Sequence, residues 1–195
     1  NCEVVKRSSA VIILLLSAFF ELYGQGAYLP PDKPRLVIGI VVEQLKYDQL
    51  EKFRDKLGEN GIKRLINEGT YFKNASFEYM LTQSAPGHAT ISTGTEPSFH
   101  GITSDNWYLP LRNELIYCTK DINVNPVGGS FESGLNSPVN LHASTFSDEL
   151  EMATNQKSKV FGIGLKENSA ILSAGHSADG VFWFDNTTGT WMRCS

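Results

Sequence analysis

Arg35-Leu36-Val37-Ile38-Gly39-Ile40-Val41-Val42 is a nearly continuous apolar run, closed by Glu43. Continuous rather than alternating hydrophobicity fits a strand buried on both faces, as in a parallel sheet. The run therefore predicts an α/β fold and sets a carboxylate at the C-terminal tip of its first strand. In open α/β sheets that edge is where ligands bind; a solvated loop carboxylate is the plainer reading of Glu43.

Downstream, the pattern keeps to α/β order. Tyr47, Leu50, Phe53 and Leu57 recur at helical spacing before Gly58, and Ile62, Leu65 and Ile66 form a second stripe before Gly69. Tyr71, Phe72, Phe77 and Tyr79 make residues 70–79 a candidate strand. It leads into Thr82-Gln83-Ser84-Ala85-Pro86-Gly87-His88-Ala89-Thr90-Ile91, which reads as a loop delivering a hydroxyl onto the start of a helix. Ser84 stands where an N-cap would, Pro86 falls in the first turn, and Gly94 can end the helix. A serine there meets the positive end of the helix dipole and unpaired backbone N–H groups. That environment suits an alkoxide or a bound phosphate; a simple helix cap is the alternative.

The rest of the chain alternates similarly. Leu115 to Cys118 reads as a short strand, and residues 120–141 as a long surface excursion rich in Gly and Pro. Ser144 to Ala153 has a helical stripe with Asp148 and Glu149 in its first turn. Ser158 to Leu165 is a further strand candidate, ended by Lys166. Ser169 to Ala174 reads as a short helix, Val181 to Asp185 as a strand, Asn186 to Gly189 as a turn and Thr190 to Met192 as a return strand.

Residues 1–26 have the form of a secretory signal peptide: Lys6-Arg7, the ten-residue apolar stretch Val11 to Phe20, then the small residues Gly24 and Gly26. An uncleaved membrane anchor is the alternative. The reading implies export to a periplasmic or extracellular place, with the membrane involved only in export. The 195 residues are 41% hydrophobic with a net charge of −4, enough for one domain with a core and with nothing that favours nucleic acid. Cys2, Cys118 and Cys194 form no CxxC pair, which argues against a cysteine zinc site; a Cys118–Cys194 disulfide is open to an exported chain.

Glu43, Ser84 and Lys166 thus fall at, or just past, strand ends. A carboxylate, a hydroxyl and an ammonium on one sheet edge suit phosphoryl transfer, in which a metal activates the hydroxyl and the cation meets the transferred oxygens.

Residues 33–192 resemble the N-terminal part of the alkaline phosphatase superfamily. They are most similar to the bacterial periplasmic phosphate-irrepressible alkaline phosphatases, near the type I phosphodiesterase/nucleotide pyrophosphatase branch. The resemblance is carried by Leu36 to Leu45, Ser84-Ala85-Pro86-Gly87-His88, Thr93-Gly94 with Pro97 to Ile102, Asn106-Trp107-Tyr108, Leu165-Lys166, and Ala174-Gly175-His176 with Phe182 to Asp185. It implies an α/β fold with a mostly parallel sheet flanked by helices, for which residues 27–195 would be the N-terminal portion, incomplete at the C-terminus. It also implies a hydrolase of small phosphate esters with two zinc ions, whose further ligands would lie beyond Ser195.

In that family an Asp closes the first strand as a metal ligand, and this chain has Glu43. The nucleophile, also a metal ligand, would be Ser84, acting through a phosphoseryl intermediate. The phosphoryl-binding Asn position holds Asp105, and the Lys and Arg positions hold Lys166 and Asn168. Glutamate for aspartate lengthens the ligand, Asp105 sets a negative charge beside an anionic substrate, and Asn168 lacks a bidentate clamp. A diester, or a sulfatase-like or phosphonate substrate, then joins the monoester as a candidate. The same changes motivate the alternative of a catalytically silent paralogue that keeps the fold as a binding module.

Overall fold

The computed structural model describes residues 34–194. The expected signal peptide lies outside them. The chain divides into two units, residues 1–40 and residues 41–195. In the first, residues 34–40 form no helix or strand, and Leu36, Val37, Ile38 and Ile40 are exposed.

The second unit opens with two short helices, α1 (Tyr47–Lys52) and α2 (Ile62–Glu68), joined through a 3₁₀ turn (Arg54–Lys56); neither helix buries a residue. α3 (Ser84–Thr93) follows, ended by Gly94 at φ +68°, the left-handed cap that Gly accepts without a Cβ clash. Then come α4 (Pro97–His100) and an antiparallel hairpin of β1 (Asn106–Leu109) and β2 (Glu114–Tyr117). The long excursion contains β3 (Pro126–Val127), a 3₁₀ turn (Glu132–Gly134) and an isolated antiparallel bridge between Lys120 and Asn136. α5 (Phe146–Ala153) starts at Thr145, which forms a reciprocal capping box with Asp148. The chain continues as β4 (Phe161–Gly164), α6 (Glu167–Ala174), β5 (Gly180–Asp185) and β6 (Thr190–Cys194).

β4, α6 and β5 form a β-α-β unit: β4 and β5 pair in parallel, with Phe161 opposite Gly180 and Gly164 opposite Trp183. β5 and β6 form the expected antiparallel hairpin, and β3 adds antiparallel to the far side of β6, giving the sheet order β3-β6-β5-β4. α6 lies close over β4 because Gly162 lacks a side chain; a Cβ there would come within 2.7 Å of the Ala170 carbonyl and the Ala174 methyl. One core cluster, on the β5–β6 side of α6, joins Ala170, Ile171, Trp183 and Met192. The other, between α6 and α3, joins Ala85, Ala89, Ile102, Cys118, Leu141 and Leu172. Leu172 and Ile171 are fully enclosed, each burial contributing roughly 1.5–3 kcal/mol. The small residues Ala85, Ala89 and Ser92 let the two helices approach until Ser92 Oγ donates to the Leu172 carbonyl at 2.6 Å.

Two expected strands are not formed. Residues 35–42 and 70–79 adopt no strand conformation. Val41 and Val42 are exposed, as are Phe72 and Phe77. β-branched and aromatic residues favour strands only where a neighbour accepts their hydrogen bonds and covers their faces.

Candidate functional site

The site is built where the N-terminus of α3 meets α6 and the turn holding Glu43. Ser84 is the first residue of α3, and the cap is Gln83, one position earlier than expected. Gln83 bears no capping bond to the helix; instead its Oε1 accepts from Ser104 Oγ at 2.7 Å and from the Asp105 backbone N–H at 2.9 Å. This fixes the approach of the 104–105 loop to the helix start.

Three groups converge on one carboxylate oxygen. Ser84 Oγ donates to Glu43 Oε1, as does Ser169 Oγ at 2.9 Å, and His88 Nε2 stands 2.9 Å from the same atom. A carboxylate can only accept, so His88 Nε2 carries the proton. In the neutral ring Nδ1 is then the acceptor, and Ser173 Oγ, 3.0 Å away, donates to it. Ser84 and His88 lie one turn apart on α3, and Ser169 and Ser173 one turn apart on α6. Ser84 and His88 from α3 and Ser169 from α6 therefore clamp Glu43, and Ser173, one turn on from Ser169, holds the His88 ring. The bond from Ser84 is the strongest influence on Glu43 and, against burial and with help from His88 and Ser169, holds its carboxyl at about 2.

Asp105 joins this arrangement from the other side: its Oδ1 accepts from the Ala85 backbone N–H at 2.8 Å. It thus occupies one of the unpaired N–H groups of the α3 N-terminus, directly after Ser84. Lys166 is exposed at the cap of α6, and Asn168 is buried in that helix's first turn, 2% exposed. Asn168 stands beside the Cys118 thiol, and its Oδ1 lies 3.3 Å from Ser169 Oγ. The structure therefore brings Glu43 and Ser84 into contact, sets Asp105 beside them, and holds Lys166 and Asn168 at the adjoining helix start. Cys118 is a buried free thiol, which burial above all pushes up to about 12.

The sequence reading gave no site role to His88, Ser169 or Ser173. The i, i+4 relation of Ser84 and His88 was available as a signal. Ser169 and Ser173 were not, because their role depends on how α6 packs against α3.

Zinc, the metal implied by the resemblance, can be tested against the donors present. Glu43 is ionised far below neutrality, all three of its described hydrogen bonds fall on Oε1, and the Ser84 hydroxyl touches it. One carboxylate and one hydroxyl fit two oxygen ligands of a single divalent ion. Among the described residues no group of three or more His, Cys, Asp or Glu is placed to hold a metal, so these two donors make part of a coordination shell.

Residues 37–192 match the model of the type I phosphodiesterase / nucleotide pyrophosphatase family. A protein of Myroides odoratus called calcium-transporting ATPase is 44% identical over 83% of this chain and 29% of its own length. Alkaline phosphatase PafA of Elizabethkingia meningoseptica is 45% identical over 82% of this chain and 30% of its own. The solved structure of wild-type PafA superimposes with a TM-score of 0.81 at 44% identity, covering 83% of this chain and 31% of that one. The chain thus has an alkaline-phosphatase-like α/β fold and spans about 30% of the length of the curated relatives it matches. A PafA variant of solved structure carries changes at a threonine, an asparagine, a lysine and an arginine. The interval between the first two of those positions equals that from Ser84 to Asp105, the interval between the last two equals that from Lys166 to Asn168, and the middle interval differs by one residue.

Proposed function

Because the chain belongs to the type I phosphodiesterase / nucleotide pyrophosphatase family, we propose that it carries the nucleophile of an exported, metal-dependent phosphoric ester hydrolase. The observation that carries this reading is the hydrogen bond from Ser84 Oγ to the ionised Glu43 at the N-terminus of α3. The alkaline phosphatase and ATPase names of its relatives support the same phosphoryl chemistry.

Ser84 Oγ attacks phosphorus in line. The new Oγ–P bond replaces the bond to the leaving alkoxide, which departs as the alcohol once protonated. Water then cleaves the phosphoseryl ester, returning the proton to Ser84 and releasing phosphate. Glu43 orients the hydroxyl and is not its base, since a carboxyl held at about 2 has little affinity for a proton near neutrality. Zinc held by Glu43 and Ser84 would supply the positive charge that makes the hydroxyl nucleophilic and steadies the reacting oxygens. His88 and Ser169 keep the Glu43 carboxylate aimed at Ser84. Lys166, at the start of α6, is proposed to meet the phosphoryl oxygens, while Asp105, which holds the Ala85 N–H, and Asn168, buried in that helix's first turn, border the place of the phosphoryl group.

The test is hydrolysis of aryl phosphate monoesters, diesters and sulfates by the protein with zinc, beside Ser84→Ala. Turnover of a phosphate ester that requires zinc and is lost in Ser84→Ala is expected. Turnover that survives the substitution removes Ser84 as nucleophile, and absence of both zinc binding and turnover removes the hydrolase reading.

A further inference from the structure

His176 stands two residues past the end of α6, and its ring lies between two acceptors. Nδ1 is 3.2 Å from Asp148 Oδ2 on α5, and Nε2 is 3.0 Å from the Leu141 carbonyl oxygen. A carboxylate and a carbonyl can only accept, so both contacts are hydrogen bonds when each ring nitrogen carries a proton. The neutral ring has one proton and turns a lone pair on one of the two oxygens. The His176 side chain is 42% exposed, so a ring that gives up one contact can take water in its place.

The acceptors themselves are fixed. Oδ1 of the buried Asp148 accepts the backbone N–H groups of His176 and Ser177, both at 2.8 Å, and Oδ2 accepts the N–H and hydroxyl of Thr145. Burial pushes the Asp148 carboxyl upward, but the N–H groups of Thr145 and Ser177, with the His176 ring, outweigh it and hold it below the usual carboxylate range. Gly175 brings these elements together: it has φ +84°, and a Cβ there would fall 2.2 Å from Thr145 Oγ1 and 2.5 Å from Asp148 Oδ2. The start of α5 is thus packed on the end of α6. Leu141 is anchored as well, its side chain buried in the cluster between α6 and α3.

The other charged groups of these elements have partners or places of their own. Glu149 accepts from the Ser144 hydroxyl, Asp179 is bonded to Lys159 and the Val160 N–H, and the ring of His142 lies over Gly101. Glu151, buried one turn after Asp148, adds a further acid to α5, and the end of α6 adds negative partial charge; both favour a cation at His176.

We propose that His176 is a pH-sensitive latch: its imidazolium form ties α5 and the loop at Leu141 to the end of α6, and loss of a ring proton releases one of the two ties. α6 carries Ser169 and Ser173, whose hydroxyls reach Glu43 and His88, so the latch steadies the far end of the helix that positions them. The protonated form is the tied one, so its stabilisation is present at low pH and is lost as pH rises.

The experiment is thermal unfolding of the full chain from pH 5 to pH 9 for wild type, His176→Gln and His142→Gln, with ¹⁵N NMR of the histidine rings. Groups common to wild type and His176→Gln cancel in the difference between their Tm values. Wild type is expected to unfold roughly 2–4 °C above His176→Gln at pH 5, and the margin to shrink to less than a third of that by pH 9. His142→Gln keeps the wild-type pH dependence, and the His176 ring shows two protonated nitrogens at pH 5 and one at pH 9. A margin that is absent at pH 5 or constant to pH 9 overturns the proposal. A His176 ring with one protonated nitrogen at pH 5, or a pH dependence that disappears in His142→Gln, overturns it equally.

Discussion

Replacing Glu43 by Gln keeps the side chain's length and its acceptor oxygen and removes the charge that Ser84, His88 and Ser169 converge on. The carboxyl moves from an ordinary 4.5 to about 2 in the folded chain. Undamped, that difference corresponds to roughly 3 kcal/mol of stability. The Glu43 side chain is 35% exposed, so solvent screening reduces the contribution to about 1–2 kcal/mol. The sign follows from the depressed value: the contribution is fully present above about 4.5 and is lost as pH falls through about 2. Urea unfolding of metal-free wild type and Glu43→Gln at pH 7, 5, 4 and 3 tests this. Wild type should exceed the variant by about 1–2 kcal/mol at pH 7, and more than half of that margin should disappear by pH 3. A margin that is absent at pH 7, or that stays constant down to pH 3, would refute the clamp on Glu43.

Three further outcomes follow from the same geometry. His88→Ala should lower kcat for a phosphate ester by roughly 10–100-fold with a smaller change in KM, while His88→Gln, whose amide can still donate to Glu43, should recover much of it. Equal loss in both would leave His88 a packing residue. Asp105→Asn keeps the acceptor for the Ala85 N–H and exchanges a carboxylate oxygen for a donor, so kcat/KM for a monoester dianion should rise about tenfold or more, and less for a diester monoanion, as measured by steady-state kinetics on both. Asp148→Ala strips the acceptor from three backbone N–H groups beside a buried helix cap and should cost roughly 3–5 kcal/mol in urea unfolding.

Much of the second half of the fold was legible because its signals are local. The apolar run before Lys166, the short helix stopped near Gly175 and the Asn186–Gly189 turn sit close to β4, α6 and the β5–β6 hairpin. The capped helix at Ser84 was legible for the same reason, since Pro86 and Gly94 bound it chemically. Residues 35–42 and 70–79 were misread as strands because apolar and aromatic content reports a preference for burial, not the presence of a pairing neighbour. At the site, Glu43 and Ser84 could be named from position, and Asp105 and Asn168 from resemblance. What the sequence did not disclose was direction: Asp105 turns to the Ala85 N–H, Asn168 turns into the core beside Cys118, and Ser169 reaches across to Glu43. Those orientations arise from helix packing between residues far apart in the chain, where periodicity carries no information.

The central claim is that Ser84 becomes phosphorylated during turnover. Protein mixed with zinc and an aryl phosphate, quenched in acid and digested, should yield a phosphoryl adduct on the peptide containing Ser84, detected by mass spectrometry and absent from Ser84→Ala. Sustained hydrolysis of the ester with no adduct on Ser84, and with Ser84→Ala as active as wild type, would contradict it.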